Sequence, residues 1–407
     1  MGSTRRVPGS TGRDFAIDAT RGLAIWSMIS LHFADGTKIA APTHAFPHVD
    51  GMSAFVLLSG LVLGIVYRRW IGRHGLRYAY GRLTRRLGSL YAAQLFISLV
   101  AIAVGLTMSA REFWAIAVLP AHETVGAQLW WAVTMRFLPS GGNILLLYML
   151  LMASAYVLLP LLARNLWAPI VVASLALYEV SQISDASVLM IRSSPGGLPV
   201  QNWAAWQVLF VPAMVIGWRW DDWQIPRRID DSLAWLIGGT AIAWLALNYG
   251  HDLRAVLRRS PDLIDKLELG PVRVLVAWLV VACVYGVFRR LLQWTDRDWL
   301  RPLTATGSRS LDSYVVQATA LLVIPAWLWA RPWDAWPAML IALSVFAACW
   351  AWAEFRTRMQ VDKLHRLPAR MLARAAPPPE QTVDDASSGS APSNRPRPKC
   401  TPANTGG

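Results

Sequence analysis

The feature that most constrains this chain is its run of apolar blocks, each about 17 to 23 residues long. That is the length a helix needs to cross a bilayer core of about 30 Å. Apolar residues make up 55% of the sequence and charged residues only 16%, with 22 tryptophans. A soluble chain of 407 residues carries more charge than this. The pattern predicts an all-α polytopic membrane protein. Ten spans are read near 15–34, 50–67, 87–108, 143–163, 166–183, 203–218, 232–249, 271–292, 311–330 and 336–355. The first is interrupted by charge and the fifth contains Glu179.

The arginines set the expected orientation. Arg5, Arg6 and Arg13 precede the first block, and Arg68, Arg69, Arg73, Arg77, Arg82, Arg85 and Arg86 follow the second. Arg219, Arg227 and Arg228, then Arg289, Arg290, Arg297 and Arg301, then Arg356, Arg358 and Lys363 recur at alternate connections. With ten spans these fall on one side, the cytoplasmic one, and both termini are expected there. The exception is 250–270, where Arg254, Arg258, Arg259 and Lys266 are mixed with acids. The same placement accounts for the net charge of +14 as topology-fixing loops rather than nucleic-acid binding. The expected organisation is a cytoplasmic segment 1–14, a membrane domain 15–355 and a tail 356–407, basic and then disordered, because its end lacks bulky apolar residues. The basic start could suggest a cleaved signal, but Asp18 and Arg21 break the apolar run, so the first helix is read as retained. Cys283, Cys349 and Cys400 have no metal-like or disulfide spacing, and no metal site is expected.

Three polar residues stand inside the first block, DATRGLAIWSMISLHFADG: Asp18, Arg21 and His32. Arg21 and His32 are eleven residues apart, which turns about 1100°, close to three whole turns, and rises about 16 Å. They therefore share one helix face. Asp18, three residues before Arg21, is placed to pair with it. Ionisable groups at membrane depth face protein or a wet cavity. The competing reading is an interfacial Asp18–Arg21 pair and a histidine at a helix end. Asp50 opens the second block on the side expected for His32, where a carboxylate would orient the ring. Ser59, Gly60 and Gly64 within that block read as close helix packing. Asn202, Trp206, Asp265, Lys266, Arg273, Arg309, Asp312 and Tyr314 mark polar span ends. There is no P-loop, no G-x-S-x-G, no dinucleotide fingerprint and no H-E-x-x-H.

Taken in order, these stretches resemble a known family. RDFAIDATRGLAIWSMISLH resembles the opening of the OpgC family of membrane succinyltransferases, and the Arg21-to-His32 spacing resembles the signature of the wider acyltransferase family three. VDGMSAFVLLSGLVLGIVY, NILLLYMLLMASAYVLLPLL, NWAAWQVLFVPAMVIGW, DKLELGPVRVL and GSRSLDSYVV resemble later blocks, so the likeness spans roughly 13 to 320. The sequence departs from it at Leu31, near Ser53, and around Val276 and Trp278.

The resemblance implies transfer of an acyl group, succinyl in that family, from acyl-coenzyme A to a hydroxyl of an envelope glycan or glycolipid. Coenzyme A thioester is then a substrate, with no permanently bound cofactor, and the protein lies in the inner membrane. His32 is the expected general base or, in the alternative, the carrier of an acyl-histidine intermediate, with Asp50 its orienting acid and Arg21 the donor-binding group. Arg309 is a candidate oxyanion donor, and Asp18, Arg273, Asp265, Lys266, Asn202 and Trp206 complete the expected substrate site. The rival class is a glycan or lipid transporter, which ten spans with internal charges would also suit. No internal repeat and no pair of broken helices supports it. A membrane scaffold is a third reading, on the tail alone.

Overall fold

The computed structural model describes residues 13–107, 123–184, 187–193, 198–295, 297–328 and 335–359. Residues 1–12, most of the expected tail, and Cys400 lie outside these. The helices are α1 (Phe15–Phe33), α2 (Ala41–His44), α3 (Gly51–Thr107), α4 (Val125–Val133), α5 (Asn143–Ala153), α6 (Ala155–Ala163) and α7 (Trp167–Ile183). A β-ribbon follows, β1 (Met190–Ser193) antiparallel to β2 (Leu198–Asn202). Then come α8 (Trp203–Trp218), α9 (Ile225–Tyr249), α10 (His251–Arg259), α11 (Pro271–Trp294), α12 (Arg301–Ser308), α13 (Ser310–Leu328) and α14 (Ala335–Arg358).

Helix covers each of the ten apolar segments. By length and composition alone, five helices among the described residues are able to cross a membrane: α3, the α5–α6 pair, α9, α11 and α14. Their outer faces carry large exposed apolar side chains, such as Val157 on α6, Ile242 on α9, Leu275 on α11 and Leu340 on α14. In water such a surface would be a liability, whereas facing lipid it is the expected solvent contact. Among the described residues, the small β-ribbon is the one departure from an all-α chain.

α1 is the axis of the fold. Asp14 caps it, its side chain accepting from the amides of Ala16 and Ile17. The helix is then buried along nearly its whole length, packed by α3, α11, α12, α13 and α14. Its charges are therefore enclosed by protein rather than set against hydrocarbon, the arrangement that lowers their cost. The enclosure needs close approach, which glycine supplies: a side-chain carbon on Gly22 would strike the Leu303 backbone of α12, and one on Gly307 the Asp18 carbonyl.

α3 corrects an expectation. The arginine-rich stretch 68–86 reads as a connecting loop, but it is helical except at Gly75, where φ is 80° and ψ 170°. The chain reverses there. Trp70 and Arg82 would stand about 18 Å apart on a continuous helix, yet the Arg82 guanidinium lies 4.8 Å from the Trp70 ring centre. Tyr80 and Thr84 fasten the returning arm to α6, donating to the Tyr156 carbonyl and bonding the Tyr156 hydroxyl at 2.8 and 2.6 Å. The packing role expected of Gly60 and Gly64 holds. Carbon added to either would meet the backbone of α8 at Phe210 or Met214.

Candidate functional site

α1 and the first arm of α3 run antiparallel. Gly51 lies against Ala24 and Met28, and Phe55 lies beneath Arg21, with the guanidinium 5.9 Å from the ring centre. This register separates the expected site residues into two groups along α1.

The inner group, named for its place toward the start of α1, surrounds Arg21, which is 8% exposed. Its Nη2 donates to the Ser310 hydroxyl, while its Nε is buried with no hydrogen-bond partner among the described residues. Phe55 stacks its edge near Tyr148 at 5.9 Å and lies 6.2 Å from Tyr314, so an aromatic wall backs the guanidinium. Tyr314 in turn donates to the Gly141 carbonyl. The expected Asp18–Arg21 pair is not the arrangement found. Asp18 pairs with Arg13 at the helix entrance, while Arg21 turns toward α13. The close α1–α12 crossing brings Ser310, the residue after that turn, onto the Arg21 side, and this draws the guanidinium away from Asp18. Arg309 caps α12 beside Ser310. Its backbone is therefore level with Arg21, about 16 Å along α1 from His32. Asp312 is committed to Arg356, an ion pair in which the arginine is buried.

The outer group, named for its place toward the end of α1, is built on the loop 262–270. Asp50 sits just before α3, and burial there would raise its pKa. The Lys266 ammonium 3.1 Å away and bonds from the Ser53 amide and hydroxyl, both 2.9 Å, outweigh burial and hold it below the ordinary carboxylate range. Arg273 reaches across the loop to the carbonyls of Ile264 and His48 at 2.6 and 3.2 Å. His48 itself adopts φ 64°, a conformation non-glycine residues rarely take. Its imidazole pKa is lowered, by burial first and then by Arg273. Asp265 closes the loop on itself, accepting from the Glu268 amide at 2.7 Å.

Asn202 and Trp206 hold the same loop from below. The Asn202 side chain caps α8 by accepting from the amides of Ala204 and Ala205, and it donates to Glu268 at 2.5 Å. The Trp206 indole donates to the Leu267 carbonyl at 3.2 Å. These residues are 1% and 0% exposed, so neither offers a face to a sugar ring. Their effect on any substrate runs through the loop that carries Lys266. Tyr178 and Gln182 of α7 add bonds to the carbonyls of Leu269 and Glu268.

His32 lies in the last turn of α1, half-buried, one turn beyond the Met28 that touches Gly51. That places it at the level where α3 begins and Asp50 stands. Six of the ten expected residues thus assemble at the outer end, Asp18, Arg21 and Arg309 at the inner end, and His32 at the top of the helix joining them. Sequence reading gave no site role to Ser310, Phe55, Tyr148, Ser53 or Glu268. Each is an ordinary residue in an ordinary block, and only the helix register gives it a partner.

A family model described as OpgC protein matches residues 13–361, which includes every residue of both groups. No curated protein and no solved structure matches the chain.

Proposed function

The chain belongs to the OpgC family, a membrane acyltransferase type that acts on glucans, and from that premise we propose that it transfers an acyl group, succinyl, from an acyl-coenzyme A to a hydroxyl of an envelope glycan. In this reading the helices cross the inner membrane ten times, both termini are cytoplasmic, and the arginine arm of α3 faces the cytoplasm. The donor then enters at the Arg21 end and the acceptor at the His32 end.

The observation that carries the proposal is α1 itself: an enclosed helix bearing Arg21 and His32 on one face, about 16 Å apart. His32 removes the proton from the acceptor hydroxyl. The freed oxygen bonds to the thioester carbon, the carbon–sulfur bond breaks, and coenzyme A leaves as thiolate that takes up a proton. Asp50, fixed by Ser53 and Lys266, orients the histidine end of the site through its place at the start of α3. The separation also decides what Arg21 touches. A four-carbon diacid chain spans only a few ångströms, so an acyl terminus reacting at His32 does not reach Arg21, whereas the much longer pantetheine arm does.

The test is His32→Ala in purified protein, assayed for transfer of labelled acyl groups from acyl-coenzyme A to extracted glycan. Loss of general-base catalysis is worth roughly a hundredfold or more. Transfer at the unaltered rate refutes the role of His32. Vesicles that move glycan without modifying it would favour a transporter instead.

A further inference from the structure

Away from both groups, the α5–α6 pair, α7 and α8 enclose an apolar recess of about 390 Å³. Its walls run from Leu150 to Leu161 along α5–α6 and from Leu166 to Leu177 along α7. Each wall is eleven positions long, about 16 Å of helix. That is about half of the 30 Å depth of a bilayer core, the share of one leaflet. Val157 lines the recess and is largely exposed, so the recess opens on the lipid-facing side of the bundle. Trp203, the first residue of α8, lines it too, and its indole is fixed by a bond to the Val188 carbonyl at 3.1 Å.

The few polar side chains of the lining are spent on the protein. The Ser174 hydroxyl donates to Gln207 Oε1 at 2.6 Å, and the Gln207 amide donates back to the Ser174 carbonyl at 2.7 Å. The Ser154 hydroxyl donates to the Leu151 carbonyl at 2.6 Å. What remains is a hydrocarbon surface, which suits a chain of methylenes and would strand a sugar hydroxyl or a phosphate without partners. One end of the recess is different. Leu161 and Leu166, both in the lining, flank Arg164, which is exposed and forms no ion pair among the described residues. Trp167 sets the level of that turn by packing edge-on against Trp223 at 5.3 Å, and the neighbouring Asp222 pairs with Arg68 and Arg219. Tryptophans beside charged groups mark the membrane–water boundary. The Gly75 reversal lies at the same end, since Tyr80, five residues past it, bonds Tyr156 of α6.

We propose that this recess holds an acyl chain of one anionic phospholipid from the leaflet on the Gly75 side, with its phosphate on Arg164. The chain fills the apolar walls over the depth of that leaflet, and the charged headgroup stays at the boundary where the arginine stands. The lipid is a resident of the fold, neither donor nor acceptor in acyl transfer, so the proposal does not depend on that reading. It touches the outer site only through α8, the helix whose cap Asn202 and whose Trp206 hold the loop carrying Lys266.

The experiment titrates phosphatidylglycerol into the full chain, delipidated in detergent, and reads bound lipid by native mass spectrometry and stabilisation by thermal unfolding. The unaltered chain is expected to saturate one tight site and to bind phosphatidylcholine more weakly. Ala173→Phe places a ring in the recess and is expected to weaken phosphatidylglycerol binding roughly tenfold or more, the worth of about two buried methylenes. Should it fail to fold, Ala173→Leu carries the same comparison. Val172→Phe, exposed on the same helix and outside the lining, is the control and should bind as the unaltered chain does. Arg164→Gln is expected to lower the preference for phosphatidylglycerol over phosphatidylcholine about fivefold, the worth of one basic side chain at headgroup level, and to leave phosphatidylcholine binding unchanged. If the Ala173 variants bind phosphatidylglycerol normally, or if Val172→Phe weakens binding as much, the recess is not the site. If Arg164→Gln keeps the full preference, the phosphate lies elsewhere and the assignment falls. If Ala173→Phe instead separates a dimer into single chains with lipid binding intact, the recess is an interface between copies and the proposal is overturned.

Discussion

Asn202 offers the sharpest test of how the outer site is held. Its one side chain does two jobs while 1% exposed: it caps α8 and it ties down Glu268 of the loop that carries Lys266. Losing an asparagine cap costs about 0.5 to 2 kcal/mol. Losing a hydrogen bond to a charged group costs about 1.5 to 3 kcal/mol. Asn202→Ala loses both and should destabilise the protein by about 2 to 5 kcal/mol on these figures. Asn202→Ser keeps a capping oxygen but cannot reach Glu268, so it should cost only the second amount. Asn202→Asp also keeps the cap, but it sets a carboxylate against that of Glu268, and should cost more than serine does. Unfolding is followed by tryptophan fluorescence during SDS titration in mixed micelles. The order expected is unaltered protein, then serine, with alanine and aspartate below it. Glu268→Gln combined with Asn202→Ala should be less damaging than the sum of the two, because they share one bond. If alanine lies within about 0.5 kcal/mol of the unaltered chain, the size of an ordinary surface substitution, the loop is not held this way. Serine equal to alanine would assign the whole effect to the Glu268 bond and leave the cap without a role, whereas serine equal to the unaltered chain would do the reverse.

Two further predictions concern pH and packing. The folded pKa of Asp50 is depressed, so the stability its ionised form contributes is present above the unfolded value of 3.8 and is lost as pH falls through the lower folded value. Thermal unfolding from pH 7 to 3 should therefore steepen only at the acid end, and Asp50→Asn should flatten that limb while lowering stability at neutral pH by about 1.5 to 3 kcal/mol for the lost charged bond. A variant with an unchanged acid limb contradicts this. Gly64→Ala would set a carbon 2.6 Å from the Trp218 amide nitrogen in the α3–α8 crossing and should cost about 1 to 3 kcal/mol as overpacking. Gly72→Ala on the same helix meets nothing within 4 Å and should be neutral or stabilising by up to about 1 kcal/mol. Equal melting shifts for the two would mean that the crossing is not close-packed.

How much of this was legible in the sequence differs by element. Apolar length alone located a helix for every expected segment, because hydropathy over about 20 residues is a strong, additive signal. The polar outer residues were also legible, since Asp50, Asp265, Lys266 and Arg273 stand out against an apolar background. Their roles were not. Trp206 and Asn202 read as polar span ends within the expected substrate site, and the structure buries both under the loop they support. The pairing of Asp18 was misjudged for a simple reason. Spacing of three residues permits a contact with Arg21, but Ser310, 289 positions away in the chain, is the stronger claimant, and nothing local announces it. The reversal at Gly75 was hidden by its own neighbours, because an arginine-rich stretch between apolar blocks reads as a loop whether or not it is helical.

The same reversal explains why a charged stretch should be so ordered. A loop of seven arginines would satisfy the topology rule equally well, since that rule counts charge and ignores conformation. Helix on both sides of one left-handed glycine does more. It fixes Arg82 and Arg86 one turn apart on one face, and lets the Tyr80, Thr84 and Tyr156 bonds set the distance of the returning arm from α6. Order of this kind costs conformational entropy that topology alone does not require. Arg69, Arg73 and Arg77 stand at the surface or half-covered, as Arg82 and Arg86 do. What the order adds is a contact across the break that a loop would not hold, the Arg82 guanidinium 4.8 Å from the Trp70 ring centre.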